Sequence, residues 1–176
     1  MLILDLCGGT GAWSAPYRAA GYNVRVLTLP DADVRLIHRL PEKVHGILAA
    51  PPCTVFANSG ARWPRTQEQI LAGLSVMDAC LRAVMIYEPE WWALENPVGK
   101  MRRYLGDPAL IFDPCDYGDP YTKRTLLWGS FKAPAKTPVA PVEGSKLHRL
   151  PPSVDRVTLR SVTPPGFARA FFEANP

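Results

Sequence analysis

Apolar and polar positions fall into short runs that change period along the chain. Met1–Leu6 (MLILDL) is apolar almost throughout, the pattern of a strand buried on both faces, and a glycine cluster ends it. Ser14-Ala15-Pro16 opens a helix, with Ser14 as N-cap and Pro16 in the first turn, and Gly21 closes it. Asn23–Leu29 alternates as a strand and stops at Pro30, and His45–Ala50 is a third buried strand before Pro51-Pro52. Thr66 and Gln69 form a capping-box pattern. The helix after it carries Ile70, Leu71, Leu74, Met77, Leu81, Val84 and Met85 at helical spacing, which predicts a core-facing stripe ended at Pro89. Trp91–Leu94 and Thr125–Trp128 are further short strands, with Glu95-Asn96-Pro97 just past the first, and Gly166–Ala174 is an amphipathic helix. Strands alternating with helices predict an α/β domain with a mostly parallel sheet.

Length and composition narrow the class. The 176 residues suit one domain. Apolar residues at 47% and charged residues at 20% exclude a disordered chain. No uninterrupted apolar run approaches the ~18 residues of a membrane span. Nineteen prolines imply many stiff connections, and Ala133–Pro152 reads as an extended surface loop. The four cysteines form no CxxC pair, so no metal site is expected. The opening residues lack a basic leader, which favours free thiols in a reducing compartment. A net charge of +4 is a mild hint of nucleic acid.

Four constellations carry chemistry. Asp5-Leu6-Cys7-Gly8-Gly9-Thr10-Gly11 runs from a strand through a glycine turn into a helix, which suits a nucleotide or an S-adenosylmethionine site as well as a plain tight turn. Cys53 lies past a strand end, where open α/β folds bind ligands; a stiffly held thiol there suits a nucleophile, although a lone cysteine is commonly a small buried residue. Glu95 follows two tryptophans, and apolar surroundings raise a carboxyl pKa toward general-acid duty; a solvated loop glutamate fits the same letters. Lys123-Arg124 delivers two cations beside a strand, toward a base carbonyl, a phosphate or solvent.

Together and in this order, these segments resemble the DNA cytosine-5 methyltransferases. Asp5, Leu6, Gly9 and Gly11 match that family's first motif. Pro52-Cys53 with Phe56 matches its Pro-Cys-x-x-Phe-Ser motif, and Glu95-Asn96 its Glu-Asn motif. Asp116-Tyr117-Gly118-x-Pro120 precedes a strand similar to Gln-x-Arg-x-Arg, and Arg160–Pro165 resembles the last motif. TPPGFARAFFEA and KRTLLWG look most like short phage-encoded members.

The resemblance implies a Rossmann-like, S-adenosylmethionine-dependent fold with helices on both faces of a trimmed sheet. It implies Cys53 adding to C6 of a flipped or single-stranded cytosine, Glu95 acting at N3, and Asn96 orienting the Glu95 loop; the alternatives are the same chemistry on RNA or with a modified cofactor, or a non-catalytic nucleic-acid-binding or partner-binding relic of the fold. Arg124 is the candidate for the base oxygen, with Lys123 as second cation. Cofactor contacts fall to Asp5, Cys7, Gly9, Gly11, Trp13, Thr28, Asp33, Pro51 and Ser161, and grip on flanking DNA phosphates to Lys100, Arg102 and Arg103. The implied setting is the cytoplasm, that of the bacterial host for a phage-borne enzyme, with no membrane.

The chain departs from the pattern in places. Thr28 stands where an acidic residue usually holds the ribose, Tyr121 replaces a glutamine, and Ala57 replaces a serine. Residues 129–159, a proline-rich loop within the single domain 1–176, occupy the place of a target recognition domain. The expectation is weak or very short sequence specificity, or specificity supplied by a protein partner.

Overall fold

A computed structural model describes residues 1–176. Six strands form one sheet: β1 (Leu2–Leu6), β2 (Asn23–Leu27), β3 (Val44–Ala49), β4 (Trp91–Pro97), β5 (Leu110–Phe112) and β6 (Thr125–Ser130). Their order is β2-β1-β3-β4-β6-β5. The first four strands are parallel, whereas β6 runs antiparallel to β4 and β5 antiparallel to β6. Five helices accompany them: α1 (Ala15–Ala19), α2 (Gln67–Tyr87), α3 (Met101–Leu105), α4 (Arg156–Ser161) and α5 (Pro165–Ala174).

The period of two along each strand sends its side chains into two cores. Leu2, Leu4 and Leu6 of β1 join Ile47, Leu94 and Leu126 on the face covered by Met77, Cys80 and Ala83 of α2. Ile3, Leu48, Ala93 and Leu127 face the other way, against Tyr17 of α1 and Phe167, Ala168 and Phe171 of α5. The last helix is held by its end. Asn175 exchanges hydrogen bonds with the backbone of Lys132, 2.8 and 3.0 Å, and the Tyr17 hydroxyl donates to the Asn175 carbonyl at 2.7 Å.

The capping box forms: the Thr66 hydroxyl accepts from the Gln69 amide at 3.3 Å, and the Gln69 side chain accepts from the Thr66 amide at 3.1 Å. The apolar stripe of α2 is narrower than its spacing predicts. Leu71 and Met85 are exposed, and the small residues Ala79, Cys80 and Ala83 take the buried face, because a helix lying close on a sheet needs little side-chain bulk there. α2 has the length and apolar composition that a bilayer crossing needs, and here it lies against the sheet.

Glu95 and Asn96 lie within β4 rather than beyond it. The antiparallel partner β6 extends the pairing past the point where β3 stops, setting Glu95 opposite Leu127 and Asn96 opposite Leu126. Consequently the carboxyl ends of β1, β3 and β4, and the start of β6, share one edge of the sheet. That edge carries the glycine turn, the Cys53 loop, Glu95 and Lys123-Arg124.

Candidate active site

The loop after β3 is built tightly. Pro51 and Pro52 restrict the backbone, and the Cys53 carbonyl accepts from the Phe56 amide at 2.9 Å and the Ala57 amide at 2.8 Å. The loop is then sewn to the end of β4. The Asn58 amide donates to the Val98 carbonyl at 2.9 Å, the Lys100 amide donates to the Phe56 carbonyl at 2.9 Å, and Ala57 bridges Gly99 in antiparallel fashion. Only glycine fits at position 99, because a Cβ there would stand 2.1 Å from the Phe56 carbonyl oxygen. A second tie comes from buried Asn96, whose Nδ2 donates to the Pro51 carbonyl at 3.0 Å and to the Glu95 carbonyl at 3.2 Å.

The charges at this edge act on one another. Burial raises the Glu95 carboxyl pKa, and the Lys123 ammonium partly opposes it. Burial also raises the Cys53 thiol pKa, and the nearby Glu95 carboxylate raises it further; Lys123 and Arg160 pull it down. Thus the structure brings together Cys53, Glu95 and Lys123. Arg124 is not brought in. Consecutive residues entering a strand alternate sides, and Arg124 turns outward, 63% exposed, to pair with Asp113 at 3.0 Å. Lys123 faces the other way, its ammonium 3.4 Å from the Val162 carbonyl.

The glycine turn fits a bound ligand in part. Gly9 and Gly11 have φ of 55° and 70°, and a Cβ built on Gly9 meets nothing within 4 Å, so the backbone there is open to close approach. Asp5, beneath the turn, is wholly buried. The Ser14 hydroxyl donates to its Oδ2 at 2.5 Å, which takes Ser14 away from capping α1, and Oδ1 has no partner. An orphaned acceptor under an open turn suits a cationic or hydrogen-bond-donating ligand group.

Other residues expected at the cofactor are engaged elsewhere. The Trp13 ring is buried against Phe167 and Phe171, 5.9 and 5.5 Å between centroids, because the aromatic face of α5 claims it. Cys7, at φ 58°, packs on the core that holds Cys80. Asp33 is held by Arg35, with Oδ2 2.6 Å from the guanidinium, which keeps its carboxyl below the usual range. Thr28 follows the end of β2 and is half-buried, Pro51 is buried, and the exposed Ser161 hydroxyl donates to the Thr158 carbonyl at 2.8 Å. Among the basic residues after Glu95, Lys100 and Arg103 are exposed, while Arg102 pairs with Asp107 at 2.5 Å. Two residues escape the sequence reading as site residues: Gly99, whose signal is steric, and Arg160, whose charge reaches Cys53.

Burial pushes the Asp5 pKa up to about 6. A carboxyl whose folded pKa lies above its unfolded value stabilises most when protonated, and that contribution is lost as pH rises through the folded pKa. The ordinary value is 3.8, so the difference amounts to about 2 kcal/mol between pH 4 and pH 8. Asp5→Asn keeps the acceptor for Ser14 and removes the titration. Urea unfolding at both pH values should show the wild type losing about 2 kcal/mol relative to the variant. Parallel stability curves would show that the Asp5 carboxyl is not perturbed in this way.

No protein-family model matches the chain. In sequence it is 25% identical to the type II methyltransferase M.DdeI of Desulfomicrobium norvegicum over 178 aligned positions, which cover 76% of this chain and 41% of that protein. The chain therefore spans well under half the length of this relative. A solved structure of a DNA modification methyltransferase encoded within a prophage (E. coli) superposes with a TM-score of 0.55 at 18% identity, over 89% of this chain and 50% of that one. The superposition gives this chain the Rossmann-like fold of that methyltransferase, and in sequence the chain is similar to the type II methyltransferase M.DdeI.

Proposed function

We propose that the chain is an S-adenosylmethionine-dependent DNA cytosine C5 methyltransferase. The observation that carries this reading is the convergence of Cys53, Glu95 and Lys123 at one sheet edge, beside a glycine turn with an orphaned acid beneath it. Cytosine C5 is a weak nucleophile. Addition of the Cys53 thiolate to C6 makes C5 enamine-like, and a proton from Glu95 at N3 takes up the developing charge. When bound, S-adenosylmethionine would supply an electrophilic methyl group on a sulfonium, with S-adenosylhomocysteine as its leaving group. Transfer of the C5 proton to a base then expels the Cys53 thiolate, N3 returns its proton to Glu95, and the ring is restored. Asn96 and Gly99 keep acid and thiol in register, and Lys123 takes the place expected of Arg124. The Gly9–Gly11 backbone and Asp5 would hold the cofactor; Trp13 is buried under α5, and Asp33 already pairs with Arg35.

A paired base hides C6 within the duplex, so the target is flipped out or already single-stranded. Residues 129–159, mostly irregular between β6 and the short helix α4, take the place of a separate recognition domain, and so little structure is too small for independent major-groove readout. Specificity is accordingly short, or a partner protein supplies it.

The test is methyl transfer from tritiated cofactor to DNA, RNA and free nucleotide, with mass spectrometry of the product nucleosides. Label in DNA as 5-methylcytosine, at short or degenerate sites in bisulfite maps, is the expected result. Label confined to RNA overturns the substrate, N4-methylcytosine overturns the chemistry, and a long strict recognition site for the isolated chain overturns the specificity.

A further inference from the structure

α4 is turned the wrong way for a packing helix. Its apolar side chains point to solvent, with Val157 78% exposed, Leu159 largely exposed and Val154 just before it 97% exposed. Its arginines point in: Arg156 and Arg160, one helical turn apart on a single face, are both half-buried. The Arg156 Nε is shielded from solvent and has no partner, and neither guanidinium has a carboxylate within ion-pair reach. Asp155, the N-cap residue beside Arg156, is exposed and pairs with neither arginine, while Asp113, Asp116 and Glu143 pair with Arg124, Lys136 and Lys146. Taking the Arg156 Nε out of water with no acceptor costs free energy, and an anion drawn to this half-buried face would relieve that cost. The position fits. The Val162 carbonyl, just past α4, accepts from Lys123, which borders Glu95 and Cys53.

We propose that Arg156 and Arg160 form an anion clamp that grips phosphodiester groups of the substrate strand beside the target base. This rests on the function proposed above and adds to it a binding site outside the expected basic residues Lys100, Arg102 and Arg103. The α-carboxylate of the cofactor is the other anion at hand. Two forked cations one turn apart suit successive charges along a strand better than one carboxylate, which a single guanidinium satisfies.

The experiment measures binding of a labelled single-stranded oligonucleotide holding one cytosine, and of an all-thymine strand of equal length, across a salt series. Arg156→Gln/Arg160→Gln should make the plot of log affinity against log salt shallower by about 0.7 per arginine, equally for both strands. Arg156→Lys/Arg160→Lys should retain most of the slope, and Val157→Gln on the outward face should leave it unchanged. S-adenosylhomocysteine binding should be unaffected throughout. An unchanged slope in the glutamine variant overturns the clamp, and so does weaker S-adenosylhomocysteine binding with DNA binding intact. If the wild type makes no 5-methylcytosine yet the slope falls, the function fails and the clamp stands. If 5-methylcytosine forms and the slope does not move, the clamp fails and the function stands.

Discussion

Cys53→Ala is expected to remove methyl transfer, a loss of more than about 10⁴-fold, the scale on which enzymes lose a covalent nucleophile. The thiol has no neighbour to replace it. Cys7 and Cys80 belong to the core under α2, and Cys115 sits in the turn that leads from β5 toward β6. A trapping measurement separates a chemical loss from a structural one. DNA containing 5-fluorocytosine accepts the thiol and the methyl group but has no C5 proton to release, so the C6–sulfur bond persists. The wild type with cofactor should give a complex that survives denaturing gels, and Cys53→Ser, which changes a single atom, should give none. A Cys53→Ser protein that still forms the adduct, or a Cys53→Ala protein that still methylates, would refute the nucleophile.

Glu95→Gln should lower transfer at neutral pH by about 10²–10⁴-fold, the usual worth of a positioned general acid. It should also reshape the pH profile. The active form pairs a thiolate with a protonated acid, while the ordinary order of the two pKa values favours a thiol with a carboxylate. In the wild type the rate therefore climbs until Glu95 ionises, stays level, and falls once the Cys53 thiol ionises. The two steps belong to the coupled pair rather than to either residue alone. Glutamine removes the first of these events and the negative charge that raises the thiol pKa. The variant's rate should keep climbing with pH up to a thiol pKa lower than that of the wild type. A variant profile of the same shape as the wild type would show that Glu95 donates no proton.

Much of this site is readable from the chain because its chemistry sits at strand ends, and strand ends are marked by prolines and glycines. Cys53 after Pro51-Pro52 and Gly9 after Leu6 are placed by that punctuation. What escapes depends on which way neighbours face. Lys123 and Arg124 are interchangeable as letters, and only the alternation entering β6, with Asp113 waiting on one side, separates them. Ser14 reads as a cap, yet a buried carboxylate draws off its hydroxyl. The helix that carries Arg156 and Arg160 is invisible to a search for apolar stripes, since its apolar residues face outward. Leu71 and Met85 mislead in the opposite sense: they have helical spacing but stand exposed on a helix whose buried face is Met77, Ala79, Cys80 and Ala83.

The seam between Phe56 and Gly99 has a mechanical consequence. Thiol and acid ride on backbones fastened to each other, so they form one jaw of fixed gape rather than two parts that meet when a flap shuts. Under the function proposed, a pyrimidine would have to reach that jaw already oriented, and the work of choosing among bases would pass to whatever steers the strand across its rim.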